Sequence, residues 1–273
     1  MTVPKQKDSA TPSLDLAQLP LWPNTLRGIP NPIARSALFN ITNLRKGDRK
    51  HYRQRTVAAL NGINITYTGE ELRQDDEDVF LQILHLARMH QLGAEVAFTG
   101  RSMMTALMWS VNSASKERLI ACLFRLTATA LSITVTDRSG PQEGYVGSLI
   151  RSFSWRDELT GKAMRKWSVM LEPKIATLFD TACYSRLDWE LRMQLPPTAK
   201  FLHTFYHTHA APFPMKVETL HKLTDSDTKE LRHFRADLKK ALALLVAKGF
   251  LLTAQIDPHT DAVKVTRKYQ PEK

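Results

Sequence analysis

Three histidines stand close together in the second half of the sequence, with the spacing His-x3-His-x-His. Neutral imidazole nitrogens bind transition metals, so the cluster could hold the metal ion of a nuclease. In such a nuclease, the two histidines of the pair flank a bulky hydrophobe, but here Thr208 stands between His207 and His209. The segment is also predicted to be a helix end. Histidines at a helix C-terminus interact favourably with the helix dipole. We therefore predict neither a metal ion nor a catalytic residue at His203, His207 and His209.

A run of carboxylates from Asp75 to Asp78 is a second candidate for metal binding. Carboxylates are also favoured in the first turn of a helix, where they face free N–H groups. Because apolar residues follow at helical spacing, we predict a helix N-terminus. The sequence has neither a GxxxxGK[ST] loop nor a GxGxxG motif, and Cys122 and Cys183 lack zinc-ligand spacing. We expect no cofactor.

The charge balance indicates a polyanionic partner. The 273 residues include 38 Lys and Arg against 27 Asp and Glu, a formal net charge of +11. Such an excess is typical of proteins that bind nucleic acid. The length predicts two domains, which we place at residues 33–185 and 186–273. The first has 20 basic and 15 acidic side chains and the second has 15 and 10, so both share the excess.

Residues 1–32 contain six of the 14 prolines. This density excludes helix and central strand and predicts an extended, disordered tail. The tail includes an apolar cluster that ends in Leu21 and Trp22, and such a cluster is expected to dock onto a partner. The alternative is that it packs on its own domain, because Trp and Leu favour burial in any protein.

Residues 33–185 are predicted to form a helix, a turn, a second helix and a β-hairpin, which is the order of a winged helix. The first helix is placed around residues 103–109, and the second runs to about Leu131. Strands are predicted at residues 145–155 and 166–171 because apolar residues alternate there. Arg118 and Arg125 stand among small residues on the outward face of the second helix, which favours close approach to a groove wall. We predict that both bind DNA.

Residues 186–273 repeat this order. Residues 224–227 are predicted to form a turn, and Asp227 with Glu230 resembles a capping box before a long helix. That helix has one apolar face and an opposite basic face. Base and phosphate contacts are made by the second helix of a helix-turn-helix. The predicted DNA-binding residues are Lys229, Arg232, His233, Lys239 and Lys240 on this helix and Lys264 in the following hairpin. The fold class is therefore α+β, with two tandem winged-helix domains after the tail.

Several strings spread over about residues 33–267 carry a family resemblance. They are Ala34-Arg35-Ser36-Ala37-Leu38-Phe39, Ile65-Thr66-Tyr67-Thr68-Gly69-Glu70-Glu71-Leu72, Asp75-Asp76-Glu77, Leu195-Pro196-Pro197-Thr198-Ala199-Lys200 and Pro214-Met215-Lys216-Val217-Glu218-Thr219. In these strings the chain resembles the TrfA plasmid replication initiators of the IncP type. The resemblance implies two winged-helix domains that bind direct repeats, called iterons, at a plasmid origin. It also implies opening of an adjacent AT-rich segment and recruitment of the host helicase and polymerase clamp.

The tail cluster resembles the QLSLF-type pentapeptide by which proteins bind the bacterial sliding clamp. Gln18 offers a donor and an acceptor, and Leu21 and Trp22 would fill an apolar cleft. Pro20 stands in place of Ser, and Trp22 in place of Phe. The resemblance implies the clamp-binding residues Gln18, Leu19, Leu21 and Trp22.

We interpret the chain as a sequence-specific origin-binding initiator and not as an enzyme. Without an ATP site, strand opening must come from binding energy, DNA bending and protein assembly. Two alternatives stay open. One is an origin-nicking, metal-dependent nuclease that uses His203, His207 and His209, and the other is a plasmid transcriptional repressor.

The expected partners follow from the initiator interpretation. They are double-stranded iteron DNA, single-stranded AT-rich origin DNA, the sliding clamp, the host helicase and the host initiator, with homodimer formation left open. The sequence has no apolar run that would span a membrane and no apolar signal core at its N-terminus. Its two cysteines do not form a disulfide framework. We therefore expect no membrane partner and a bacterial cytoplasmic location.

Overall fold

The computed structural model describes residues 18–42, 47–60, 62–137, 140–141, 144–156, 163–179 and 184–267. Residues 1–17 of the predicted tail, Cys183 and the predicted hairpin loop at residues 157–162 lie outside these ranges. The helices are α1 (Asn31–Ala34), α2 (Gln74–Ala87), α3 (Gly100–Ala106), α4 (Ser113–Thr127), α5 (Trp189–Met193), α6 (Pro197–His207), α7 (Val217–Leu223) and α8 (Leu231–Ala247), with a 3-10 helix at Pro173–Phe179.

The strands form several small sheets. They are β1 (Leu26–Pro30), β2 (Phe39–Asn40), β3 (His51–Val57), β4 (Ile63–Glu70), β5 (Leu72–Arg73), β6 (Glu95–Phe98), β7 (Ala130–Asp137), β8 (Gly140–Pro141), β9 (Tyr145–Gly147), β10 (Ser152–Arg156), β11 (Ala163–Met170), β12 (Tyr184–Asp188), β13 (Met215–Lys216), β14 (Leu251–Ile256) and β15 (Ala262–Arg267). The mixture of helices and strands agrees with the predicted α+β class.

The buried apolar residues form two clusters, one from Leu19 to Trp189 and the other from Leu195 to Val263. We call the parts of the chain around them the first unit and the second unit. The predicted domain boundary between residues 185 and 186 falls inside β12. All of β12 pairs antiparallel with β1, so this strand belongs to the first unit.

From residue 18 onwards, the structure differs from the prediction of an extended tail through residue 32. Residues 26–30 form β1. Pro23 accepts a backbone hydrogen bond in the turn before β1, and Pro32 lies in the first turn of α1. Proline is compatible with turns and with the first helical turn, so its density does not prevent order here. Burial of Leu19 and Trp22 in the first core holds the segment in place.

In the first unit, α2 packs against α4 and β1. Helices α3 and α4 follow β6, and the hairpin β10–β11 joins β6 in a sheet of order β10-β11-β6. Helix α4 ends at Thr127, earlier than predicted, because Leu131 and Ile133 belong to β7 and pair with β4. Their alternation with polar residues favours a strand. The strand predicted at residues 145–155 is two strands, β9 and β10.

In the second unit, α6 and α7 pack against α8, and α8 packs against β14 in a sheet of order β13-β15-β14. Helix α8 begins at Leu231 with Glu230 as its N-cap and without a side-chain cap, so the predicted capping box at Asp227 is wrong. The chain does turn within residues 224–227, where Asp225 has a left-handed backbone with φ of 43°. Within the described residues, no helix combines the length and apolar character needed to cross a bilayer.

The acidic run at the start of α2 ties the two units together. Its four residues are all buried, and the predicted helix N-terminus is confirmed. The fully buried Arg192 of α5 donates to Asp78 at 2.8 Å and lies 3.1 Å from Glu77. Lys200 of α6 also pairs with Asp78. Buried carboxylates of the first unit are therefore neutralised by Arg192, which precedes the second unit in the sequence, and by Lys200, which belongs to it.

Candidate nucleic-acid interface

Helix α8 presents a basic surface to solvent. A helical period of 3.6 residues places its apolar side chains on one face, where they are buried in the second core. The opposite face is exposed. It includes all five basic residues predicted there, namely Lys229 just before the helix and Arg232, His233, Lys239 and Lys240 within it. The structure thus leaves these side chains accessible to a polyanion.

Two of these cations have acidic neighbours. Arg232 Nε lies 2.5 Å from a carboxylate oxygen of Glu230, and Lys240 Nζ lies 3.6 Å from Asp237. Both pairs are exposed, and exposed pairs contribute only about 0–1 kcal/mol. A phosphate can therefore replace either carboxylate at little cost.

The β14–β15 hairpin is bound to α8 by an ion pair. Arg235, which the sequence did not single out, donates to both carboxylate oxygens of Asp261 at 2.9 and 2.7 Å. This bidentate contact joins α8 to the turn between β14 and β15. Lys264, predicted to bind DNA, donates to Asp257 at 2.8 Å and remains half-exposed. It is held within the hairpin but accessible.

Arg118 and Arg125 are paired with acidic side chains and do not lie free on an outward face of α4, while their DNA-binding role stays a prediction. Arg125 Nε donates to Asp76 at 2.9 Å, and Arg118 Nε donates to Asp75 at 3.2 Å while its guanidinium lies 4.0 Å from the Trp109 ring centroid. Burial lowers the pKa of Arg125, but the Asp76 carboxylate outweighs it and raises the pKa above the ordinary value. Both arginines neutralise buried acids.

The predicted outward face of α4 was wrong because the position of α2 cannot be read from α4 itself. Cys122, assigned to the same outward face, is fully buried. The acidic run offered a signal, since four buried carboxylates require cationic partners. Which cations neutralise them is decided by the packing of α2 against α4.

The β10–β11 hairpin of the first unit carries exposed cations that sequence reasoning missed. Within the described part of the chain they form no ion pair. Beside them, Phe124, Phe153 and Trp155 form a cluster with ring centroids 4.7–5.1 Å apart, and Phe124 is 48% exposed. Cations beside aromatic rings suit a nucleic-acid strand. The hairpin cations are Arg151, Arg156, Arg165 and Lys166.

The predicted clamp-binding residues lie on the first unit. Trp22 Nε1–H donates to Nδ1 of His85 at 3.1 Å, and the Trp22 ring stacks on Phe179. Burial, with the nearby Arg27 and Arg88, lowers the pKa of His85 to about 3, so its ring is neutral and accepts this bond. The packing alternative therefore describes Trp22.

The neighbours of Trp22 differ in exposure. Leu19 is buried, whereas Leu21 is 64% exposed. Gln18 donates to the carbonyl of Arg88 at 3.2 Å. Only part of the pentapeptide is therefore accessible in this conformation.

The three histidines in and just after α6 pack into the second unit. His203 is fully buried, with ring centroids 4.6 Å from both His207 and Phe250. Burial lowers the pKa of His207 to about 3, with Arg267 adding to the shift. His209 turns away and interacts with the Phe205 carbonyl through Nδ1. In the described chain, the ligand atoms of these histidines do not form a three-residue cluster.

One group of potential metal ligands does occur among the described residues, formed by Asp75, Asp76 and Cys122 with ligand atoms within 4.8 Å. Arg49 and Arg125 already contact these carboxylates. Burial raises the pKa of the Cys122 thiol well above its usual value, and metals bind the thiolate. These side chains suit an internal ion-pair cluster better than a metal ion.

Comparison with known proteins identifies the family. The family model described as TrfA protein matches residues 4–267. This chain belongs to the TrfA family. A relative named plasmid replication initiator protein TrfA, from Escherichia coli, is 33% identical over 246 residues. The match covers 89% of this chain and 63% of that relative. The resemblance expected from the sequence is confirmed.

The chain also resembles solved structures of domains 2 and 3 of RctB. One has a TM-score of 0.58 at 12% identity and covers 88% of this chain and 98% of that chain. A second, of RctB residues 155–483, has a TM-score of 0.57 at 12% identity, with 87% and 97% covered. At this identity the likeness shows the fold alone, and it supports the α+β class.

Proposed function

We propose that this protein is a plasmid replication initiator that binds direct repeats at the origin through α8. The observation that carries the proposal is the exposed basic face of α8 in a chain of the TrfA family. Arg232 lies in the first turn of α8, and the N-terminal residues of a recognition helix contact base edges. Its guanidinium can pair with guanine O6 and N7. Lys239 and Lys240 lie further along the helix and would contact phosphate.

We further propose that both units are winged-helix domains and contact one continuous DNA site. In the first unit we assign the DNA contact to the cationic β10–β11 hairpin and not to α4, because Arg118 and Arg125 are engaged with buried acids. With no ATP-binding motif in its sequence, the protein would open the AT-rich segment by binding and bending DNA, not as an enzyme. The separated single strand, the host initiator and a second copy of the chain are further proposed partners.

Recruitment of the host helicase and the sliding clamp is part of the proposal. The family resemblance and the pentapeptide support it. Because Leu19 and Trp22 are buried, clamp binding through these side chains requires the segment before β1 to leave the first unit. Of the four predicted clamp-binding residues, Gln18 and Leu21 are exposed beforehand. We therefore expect clamp binding to be weaker than for a free peptide with the same residues.

Footprinting across the plasmid origin tests the DNA-binding proposal, with Arg232→Ala and Lys240→Ala as matched variants of α8. We expect protected repeats with the natural chain. Arg232→Ala should lose about 1–3 kcal/mol of specific binding. Lys240→Ala should weaken binding to specific and to non-specific DNA equally. The slope of log affinity against log salt concentration should become smaller in magnitude by about 0.9.

Other outcomes favour other functions. Equal, sequence-independent losses from both variants would show that α8 is only a charged platform. Metal-dependent cleavage of the origin would favour the nuclease alternative. Specific binding without helicase recruitment would favour the repressor.

A further inference from the structure

Each unit has a residue with left-handed backbone close to a contact between the units. Strand β3 has a bulge between Tyr52 and Arg55, and within it Gln54 has φ of 49°. In the second unit, Asp225 has φ of 43° in the turn between α7 and α8. Left-handed backbone is unfavourable for residues other than glycine, and bulges commonly redirect a side chain.

These two backbone features bring one ion pair together. The two terminal nitrogens of Arg55 donate to the two carboxylate oxygens of Asp225, at 2.8 and 2.7 Å. The Arg55 guanidinium also lies 4.3 Å from the ring centroid of Tyr52, which restricts its orientation. A bidentate arginine–carboxylate contact fixes direction as well as distance.

A backbone contact joins the same turn to another segment of the first unit. The N–H of Ile41, in the first unit, donates to the carbonyl of Thr224 at 3.2 Å. Thr224 and Asp225 end α7 and lead into the turn before α8. The first unit thus holds the turn from which α8 starts.

We propose that Arg55 and Asp225 are positioning residues that set the orientation of α8 relative to the first unit. The pair itself is not a DNA contact. It aligns the basic face of α8 with the first unit so that both can contact one site. The consequence for DNA rests on the proposed function, whereas the consequence for the position of α8 does not.

The direction in which one substitution changes DNA affinity separates a positioning role from simple electrostatics. Asp225→Asn removes a negative charge, which by electrostatics alone should strengthen binding to DNA. Asn tolerates left-handed backbone, so the turn can keep its conformation. We expect weaker binding to origin repeats, by roughly fivefold or more, the scale of typical coupling between sites. Tighter or unchanged binding would overturn the proposal.

Two further variants complete a double-mutant cycle. Arg55→Ala should weaken binding to a similar degree, and adding Asp225→Asn to it should cause no further loss. The matched control is Arg53→Ala, which removes an exposed positive charge from the same strand but leaves the pair intact. Additive losses from Arg55→Ala and Asp225→Asn, or an Arg53→Ala loss equal to that of Arg55→Ala, would contradict positioning.

A distance measurement tests the proposal without DNA. Spin labels are attached at Asn64→Cys on β4 and Ala236→Cys on α8, both exposed positions, with Cys183→Ser to remove a native thiol. We expect a narrow distance distribution that broadens in Arg55→Ala and Asp225→Asn but not in Arg53→Ala. An unchanged distribution would refute the positioning role. If broadening occurs and the natural chain binds no origin repeat, the proposed function fails and the positioning role stands.

Discussion

At the scale of single residues, Trp22 and its neighbour Leu21 have opposite environments. Trp22 is 4% exposed and Leu21 64%. Gly28 makes room for the indole, since a Cβ at Gly28 would lie 2.7 Å from the Trp22 ring. We predict that Trp22→Ala lowers the free energy of unfolding by about 3–5 kcal/mol, whereas Leu21→Ala changes it by less than about 0.5 kcal/mol. Denaturant titration of both variants measures this.

The same two variants test clamp binding. If the pentapeptide is a clamp ligand, Leu21→Ala weakens clamp affinity while stability stays unchanged. Clamp affinity unaffected by Leu21→Ala would limit this segment to a structural role in the first unit. Equal stability losses from the two variants would contradict the buried position of Trp22.

At the scale of elements, α4 and α8 are both second helices after a turn but use their arginines differently. Arg125 of α4 contacts the fully buried Asp76, which Arg49 also contacts. Removing one partner of a buried ion pair leaves an uncompensated charge. We predict that Arg125→Ala lowers the free energy of unfolding by roughly 3 kcal/mol, the low end for such pairs because Arg49 remains.

The control for this element is Lys116→Ala at the exposed start of α4, which should change stability by less than about 0.5 kcal/mol. Origin binding per folded molecule should be the same for Arg125→Ala and the natural chain. A stable Arg125→Ala protein with lost DNA binding would restore the sequence-based role of Arg125.

At the scale of the whole molecule, the buried cations around Asp78 join the two units. Arg192→Met would leave Glu77 and Asp78 buried without their main partner. We predict a loss of roughly 3–5 kcal/mol and separate unfolding transitions for the two units, observed by calorimetry. Lys222→Ala, in an exposed pair with Glu218, is the control and should unfold like the natural chain. A single, unshifted transition in Arg192→Met would show that the units are coupled by other contacts.

The sequence by itself determined the features that depend on local pattern. The period of 3.6 residues placed α8 and its exposed basic face, and a hairpin follows the helix as predicted. Gly249, with φ of 73°, lies just after α8, where glycine is favoured. Local strings also carried the family resemblance. These features need only neighbouring residues, so a single sequence is sufficient to predict them.

Only the tertiary structure decided where side chains with more than one possible partner lie. Trp22 was equally compatible with a clamp cleft and with its own core, and the approach of His85 and Phe179 selected the core. Arg125 was equally compatible with phosphate and with a carboxylate, and the packing of α4 on α2 placed Asp76 beside it. The partner of an apolar or charged side chain is chosen by contacts between residues distant in sequence, and no local pattern contains that choice.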